Sequence, residues 1–181
     1  MGAGRVVTPE ASKPSSVVGS QGTGDVVYAT GDFLVATWKN ISIVVWGTRA
    51  TPALVTEMDR ALRPFDVMRS SGFSSIHFIA KDAPPPAGEA RDMLRHSAAR
   101  HAKTLVCVCH VVEASGFWAS ALHSVILGLN WVAQRPYELQ IASSIQEVAR
   151  WLPDRHTRRT GVALSLTELE NVLTSLRQRI P

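Results

Sequence analysis

Cys107, Cys109 and His110 stand close together in the chain, and their side chains are of the kinds that bind metal ions or act as nucleophiles. They lie inside an apolar run, TLVCVCHVV. In a strand, alternation places Cys107 and Cys109 on one face and His110 on the other. A zinc site needs three or four convergent ligands, and the chain holds no other cysteine. The two thiols are therefore expected to be small buried hydrophobes, with no metal or cofactor. A bridge between them would be badly strained, so a reduced, cytoplasmic protein is expected.

The remaining histidines are scattered. His77, in SIHFIA, faces away from Ile76 and Phe78 and is expected to be a satisfied or partly buried side chain. His96 and His101 are five apart on a helix and do not stack. His123 sits in an apolar helix, where burial would lower its pKa. General acid–base chemistry also needs a partner and a pocket, and neither is readable here. Ser115 stands between a strand and a helix, as a nucleophile does in the Gly-x-Ser-x-Gly elbow. The chain reads Glu113-Ala114-Ser115-Gly116-Phe117, without the first glycine, so Ser115 is expected to be a helix N-cap. The run GSQGTG at 19–24 follows no strand and is not a phosphate loop. No catalytic residue is expected, and hence no enzyme.

The elements that would position such groups follow from patterning. FLVATW and ISIVVW, separated by Lys39-Asn40, read as a hairpin, with a short strand before them at Val26-Val27-Tyr28. Thr51-Pro52 opens a helix with an apolar stripe of Leu54, Val55, Met58, Leu62 and Phe65, ended by Pro64. A strand at 75–80, a stiff connector Asp82-Ala83-Pro84-Pro85-Pro86 and a helix at 87–102 follow. That helix has an inner face of Ala90, Met93, Leu94, Ser97, Ala98 and His101. The run at 104–112 is apolar almost throughout, as a central strand buried on both faces would be. After it come a helix at 115–134, a strand at 137–142, and two capping boxes, Ser144-x-x-Glu147 and Ser165-x-x-Glu168, opening the last two helices. Pro153 is expected to stop the first of these. Strands alternating with helices give an α/β fold: a mixed, mostly parallel sheet of five to six strands with an antiparallel hairpin at its edge and a C-terminal helix.

The 181 residues suffice for one domain with tails, and 45% hydrophobic content supports a real core. The expected organisation is a disordered tail at 1–24, an α/β domain at 25–153, and a basic loop plus helix at 154–181. The tail lacks the apolar core of a signal peptide, and Val6 stands where a myristoylation motif wants Ser or Thr. The formal charge of +4 is concentrated in Arg155, His156, Arg158 and Arg159 and in Arg177 and Arg179. Patches of this size are ordinarily solvated surface, and nucleic-acid binding is not expected.

Two segments carry more apolar surface than one small core needs. The helix at 115–134 is apolar over more than one stripe, including Phe117, Trp118, Leu122, Ile126, Trp131 and Val132. Its polar residues argue against a membrane span. Its excess could be covered by the last helix, by an oligomer or partner, or by an apolar ligand in a pocket. The last helix repeats Leu166, Leu169, Leu173, Leu176 and Ile180, a narrow docking seam onto its own domain or another chain.

The hairpin FLVATWKNISIVVWG, the helix led by Thr51-Pro52, the path through SIHFIA and TLVCVCHVV, and the closing pair YELQIASSIQEVARWL resemble, in order, the STAS domain of bacterial anti-sigma-factor antagonists and related signalling modules. The resemblance covers roughly residues 32–152. It implies a non-enzymatic regulatory or scaffolding protein that works through protein–protein contact. It also implies a partner surface around Asp82, Glu89 and Arg91, to which Phe117, Trp118, Leu169, Leu173 and Leu176 add apolar contacts. Regulated members carry a phosphorylatable Ser or Thr where this chain reads Lys81-Asp82-Ala83-Pro84-Pro85-Pro86-Ala87-Gly88, without a hydroxyl. The usual phospho-switch is therefore not expected. The alternative expectation is a protein that binds a small apolar or anionic ligand between sheet and helices.

Overall fold

The computed structural model describes residues 23–68, 71–131 and 137–181, and of these the side chains outside 64–68 and 129–131. Expectations resting on the side chains of Phe65 and Trp131, on Val132 and on the stretch 1–22 lie outside what is described. At the tail's end, Gly24 packs beneath Val172 and Leu176 and so belongs to the domain.

The strands β1 (Asp25–Ala29), β2 (Phe33–Trp38), β3 (Ile41–Trp46), β4 (Phe73–Ile79), β5 (Leu105–Val112) and β6 (Glu138–Ala142) form one sheet in sequential order. β1, β2 and β3 pair antiparallel, and β3 through β6 pair parallel. The sheet is thus mixed and mostly parallel, with the hairpin strands at one edge. β2, β3 and β5 are buried on both faces, which is why they read as near-continuous apolar runs. The hairpin turn places Lys39 at φ 51. Its ammonium is held by Glu168 at 3.0 Å and the Ala163 carbonyl at 3.2 Å, over the Trp38 ring.

The helices are α1 (Pro52–Met68), α2 (Gly88–Arg100), α3 (Gly116–Trp131), α4 (Ile145–Thr160) and α5 (Leu166–Arg177). From β3 to β6 each crossover steps one strand in the same direction. Right-handed crossovers then put α1, α2 and α3 on the same face of the sheet. That face meets α1 through Val55, Met58 and Leu62, α2 through Ala90, and α3 through Leu122 and Ile126. The opposite face carries the larger core, where Ile43, Phe78, Cys107 and Cys109 pack against Val148 and Leu152 of α4 and Leu169, Leu173 and Leu176 of α5. Gly47 lets the chain leave β3: its N–H donates to the Asp32 carbonyl, and a Cβ there would sit 2.6 Å from Ile180 and 2.9 Å from that carbonyl oxygen.

Both prolines expected to end helices lie inside them. α1 runs through Pro64 to Met68, and α4 runs through Pro153 to Thr160. Proline's φ is itself helical, and its cost is one lost backbone donor plus a ring clash one turn back. In α4 the second half is anchored by buried Leu152, His156 and Thr160 and closed by Gly161 at φ 73, so the helix continues. The expected basic loop at 154–159 is therefore helix. Both capping boxes form, with Ser144 accepting from the Glu147 N–H and Ser165 from the Glu168 N–H. Among the described residues no helix is long and apolar enough to cross a membrane.

Candidate functional site

The parallel pairing of β4 and β5 sets His77 directly opposite His110, on the face covered by α1, α2 and α3. Period-two alternation adds Ser75, Trp46 and Val108 to that face. The helices do not close fully over this patch. They leave a cavity of about 130 Å³ between the sheet, Met58 and Leu62 of α1, Leu94 of α2, and Leu122 and Ile126 of α3. Ala83, Pro84 and Pro86 of the connector before α2 complete its wall. The polar side chains lining it include Thr48, Ser75, His77, Ser97, His101, His110 and Tyr137. Among its described lining residues none is Lys, Arg, Asp or Glu.

The hydrogen bonds fix the state of His77. The Trp46 indole N–H donates to Nδ1 at 3.4 Å, so Nδ1 carries a lone pair and Nε2 the proton. Nε2 then donates to Ser75 Oγ at 2.9 Å, and Ser42 Oγ donates to the same oxygen at 2.8 Å. Burial pushes the His77 pKa down to about 4. The His110 ring stacks on His77 with centroids 5.1 Å apart. Burial, and then the neighbouring His77, holds it well below the usual histidine range. His110 Nδ1 is buried and has no hydrogen-bond partner among the described residues. Both rings are neutral near pH 7, and a base this weak holds a proton poorly there.

At the cavity's edge, Ser97 donates to Asp59 Oδ1 at 2.9 Å. Asp59 also accepts from Arg63 and Arg100, and His101 Nε2 lies 3.6 Å from it. Burial works to raise the Asp59 pKa, but Ser97 and the two guanidinium groups outweigh it and the net shift is downward. This carboxylate ties α1 to α2 and is not a proton donor.

A second buried polar group lies across the sheet. Ser74 Oγ is 2.7 Å from His156 Nδ1, and His156 Nε2 is 2.6 Å from Asn40 Oδ1. Asn40 Nδ2 donates to the Gly72 carbonyl, which leaves Oδ1 as the acceptor, so Nε2 carries the imidazole proton and Ser74 donates to Nδ1. Burial, and secondarily Lys39, depresses the His156 pKa to about 4. A serine–histidine–asparagine arrangement invites a catalytic reading. Ser74 and His156 are wholly buried and Asn40 nearly so, and no substrate reaches them. The group joins the β2–β3 turn, β4 and α4. Sequence reasoning missed it because His156 was placed in a loop beyond Pro153. The spacing of Ala149, Leu152 and His156 on one face was the signal that the helix went on.

The other sequence candidates separate cleanly. Cys107 and Cys109 are buried free thiols. Burial raises the Cys107 pKa to about 11 and that of Cys109 well above its usual value, so neither is a thiolate. Among the described residues no three His, Cys, Asp or Glu side chains converge to hold a metal. His123, Ser115 and His96 are exposed, so the histidine singled out in the sequence is not the buried one. Asp82 is exposed in the connector before α2, Glu89 and Arg91 are exposed in its first turn, and Phe117 and Trp118 are 81% and 54% exposed on α3. Leu169, Leu173 and Leu176 are a correction: they fill the core beneath α5 and are not available to a partner, because the helical seam finds its apolar complement on the sheet. No family model, curated protein or solved structure matches the chain.

Proposed function

We propose that this chain is a non-enzymatic binding module, STAS-like in its order of elements, whose ligand is a small molecule held between the sheet and α1, α2 and α3. The observation that carries this reading is the cavity of about 130 Å³, apolar in most of its wall, with two neutral stacked histidines at its floor. Largely apolar clefts and cavities with a few convergent polar groups are the usual form of small-molecule sites. The connector whose counterpart in STAS proteins bears the phosphorylated hydroxyl here supplies prolines to the wall, so occupancy of the cavity takes the place of phosphorylation as the input. Two buried reduced thiols support a cytoplasmic setting.

The test is thermal unfolding with benzene as probe. The midpoint of the wild-type chain rises with benzene concentration, because a ligand bound only by the folded state stabilises it. The Ile126→Trp variant, whose indole fills the space, shows no rise. An unmoved midpoint in the wild type contradicts the reading.

A second reading has its own observation. Phe117, Trp118 and Leu127 expose apolar surface on the outer side of α3, beside Arg91 of α2. A protein partner or a second copy docking there accounts for that surface. Light scattering on the wild type and on Phe117→Ser/Trp118→Ser tests self-association: an oligomer that becomes a monomer favours it, and a monomer in both removes self-association.

A further inference from the structure

The cavity's dimensions and its polar floor narrow the ligand. An apolar cavity of about 150 Å³ admits a benzene-sized molecule, and this one is of that order. Apolar side chains of the sheet and three helices surround the space: Trp46, Leu62, Leu94, Val108, Leu122 and Ile126. A charged ligand entering it would lose its hydration without an opposite charge among the described lining residues. His77 has both ring nitrogens engaged, by Trp46 and Ser75. His110 is different: its half-buried ring lines the same space, and no hydrogen bond is made to it among the described residues. A neutral imidazole offers one N–H and one lone pair, and a hydroxyl can answer either.

We infer that the site takes a neutral single-ring aromatic compound bearing one hydroxyl, its ring packed among Trp46, Val108 and Leu122 and its hydroxyl bonded to the imidazole of His110. This rests on the proposed function above and adds the chemical class of the ligand. Size is set by the walls, the absence of charge by the lining, and the single hydroxyl by the imidazole of His110.

The experiment compares three probes of one size, toluene, phenol and benzoate, by calorimetric titration of the full chain. Phenol binds the wild type about tenfold more tightly than toluene, the difference one hydrogen bond to a buried group makes, and benzoate binds more weakly than either. In His110→Phe, which keeps a planar ring of similar size, toluene binding is retained and the phenol preference disappears. Toluene binding as tightly as phenol to the wild type overturns the assignment of the hydroxyl and leaves the binding module standing. Benzoate binding most tightly overturns the neutral-ligand assignment. Failure of all three overturns the proposed function itself. His110→Leu serves in place of the phenylalanine variant if that chain does not fold, with the same expected loss of preference.

Discussion

His77 and His110 face each other across neighbouring parallel strands with their rings stacked 26° from parallel, and neither carries a charge. Two protonated imidazoles could not occupy this position: each would be desolvated, and each would repel the other. The pair is stable only as neutral rings, which ties the floor of the cavity to pH.

Acid should therefore destabilise the fold well above the range in which carboxylates titrate. The unfolded chain binds protons at these histidines from about pH 6.5 downward. The folded chain resists until about pH 4 at His77 and His156. Between those values the unfolded state binds more protons, so stability is intact above about 6.5 and falls as pH drops toward 4. For His156 alone the interval corresponds to roughly 3 kcal/mol. Urea unfolding between pH 7.5 and 4.5 measures it. A midpoint that stays level over this range contradicts the neutral assignment.

Removing the imidazole of His156 should be among the most damaging single changes. His156→Ala leaves Ser74 and Asn40 buried without their partner and opens a void beneath α4. The expected loss is about 3–5 kcal/mol. Arg158→Ala, two residues on, should change stability by less than about 0.5 kcal/mol. Chemical denaturation of both variants checks the contrast, which a loop at 154–159 would not produce.

The last helix should be part of the fold. Leu169, Val172, Leu173, Leu176 and Ile180 are buried against the sheet and α4. Their burial contributes on the order of 10 kcal/mol, comparable with the whole stability of a typical domain, about 5–15 kcal/mol. Arg177 adds a two-point ion pair with Glu113 at 2.5 and 2.7 Å. A chain ending at Gly161 is expected to lose its cooperative unfolding transition and its near-ultraviolet circular dichroism. A truncated chain that unfolds cooperatively would show α5 to be dispensable.

Gly47 should tolerate no side chain. A methyl group there meets Ile180 and the Asp32 carbonyl, so Gly47→Ala is expected to cost about 1–3 kcal/mol by overpacking. Ile180→Ala in the same chain should recover part of that loss, and a double-mutant cycle on the two measures the coupling.

Much of the fold is legible in the sequence, for physical reasons that differ by element. β2, β3 and β5 announce themselves because strands buried on both faces are apolar at nearly every position. The capping serines of α4 and α5 announce themselves because a hydroxyl followed three residues later by glutamate satisfies free N–H groups in only one geometry. The two prolines misled, since Pro64 and Pro153 act locally while the packing of Leu152 and His156 is tertiary. The candidate site was legible only as a surplus: α3 held more apolar surface than a core needs, with no indication of which part faces the sheet. Pairing His77 with His110 requires the β4–β5 register, and that depends on a crossover of twenty-five residues, 80–104, that no local pattern encodes.

The most direct test of the account follows the ring nitrogens of the full-length chain by ¹⁵N nuclear magnetic resonance as phenol is added at pH 7. Neutral His77 with its proton on Nε2 should be present from the start, and the signals that move should be those of His110 and then His77, while His96 and His123 stay fixed. Movement confined to His123, or to the indole signal of Trp118, would place the ligand on the outside of α3 and contradict the cavity as the site.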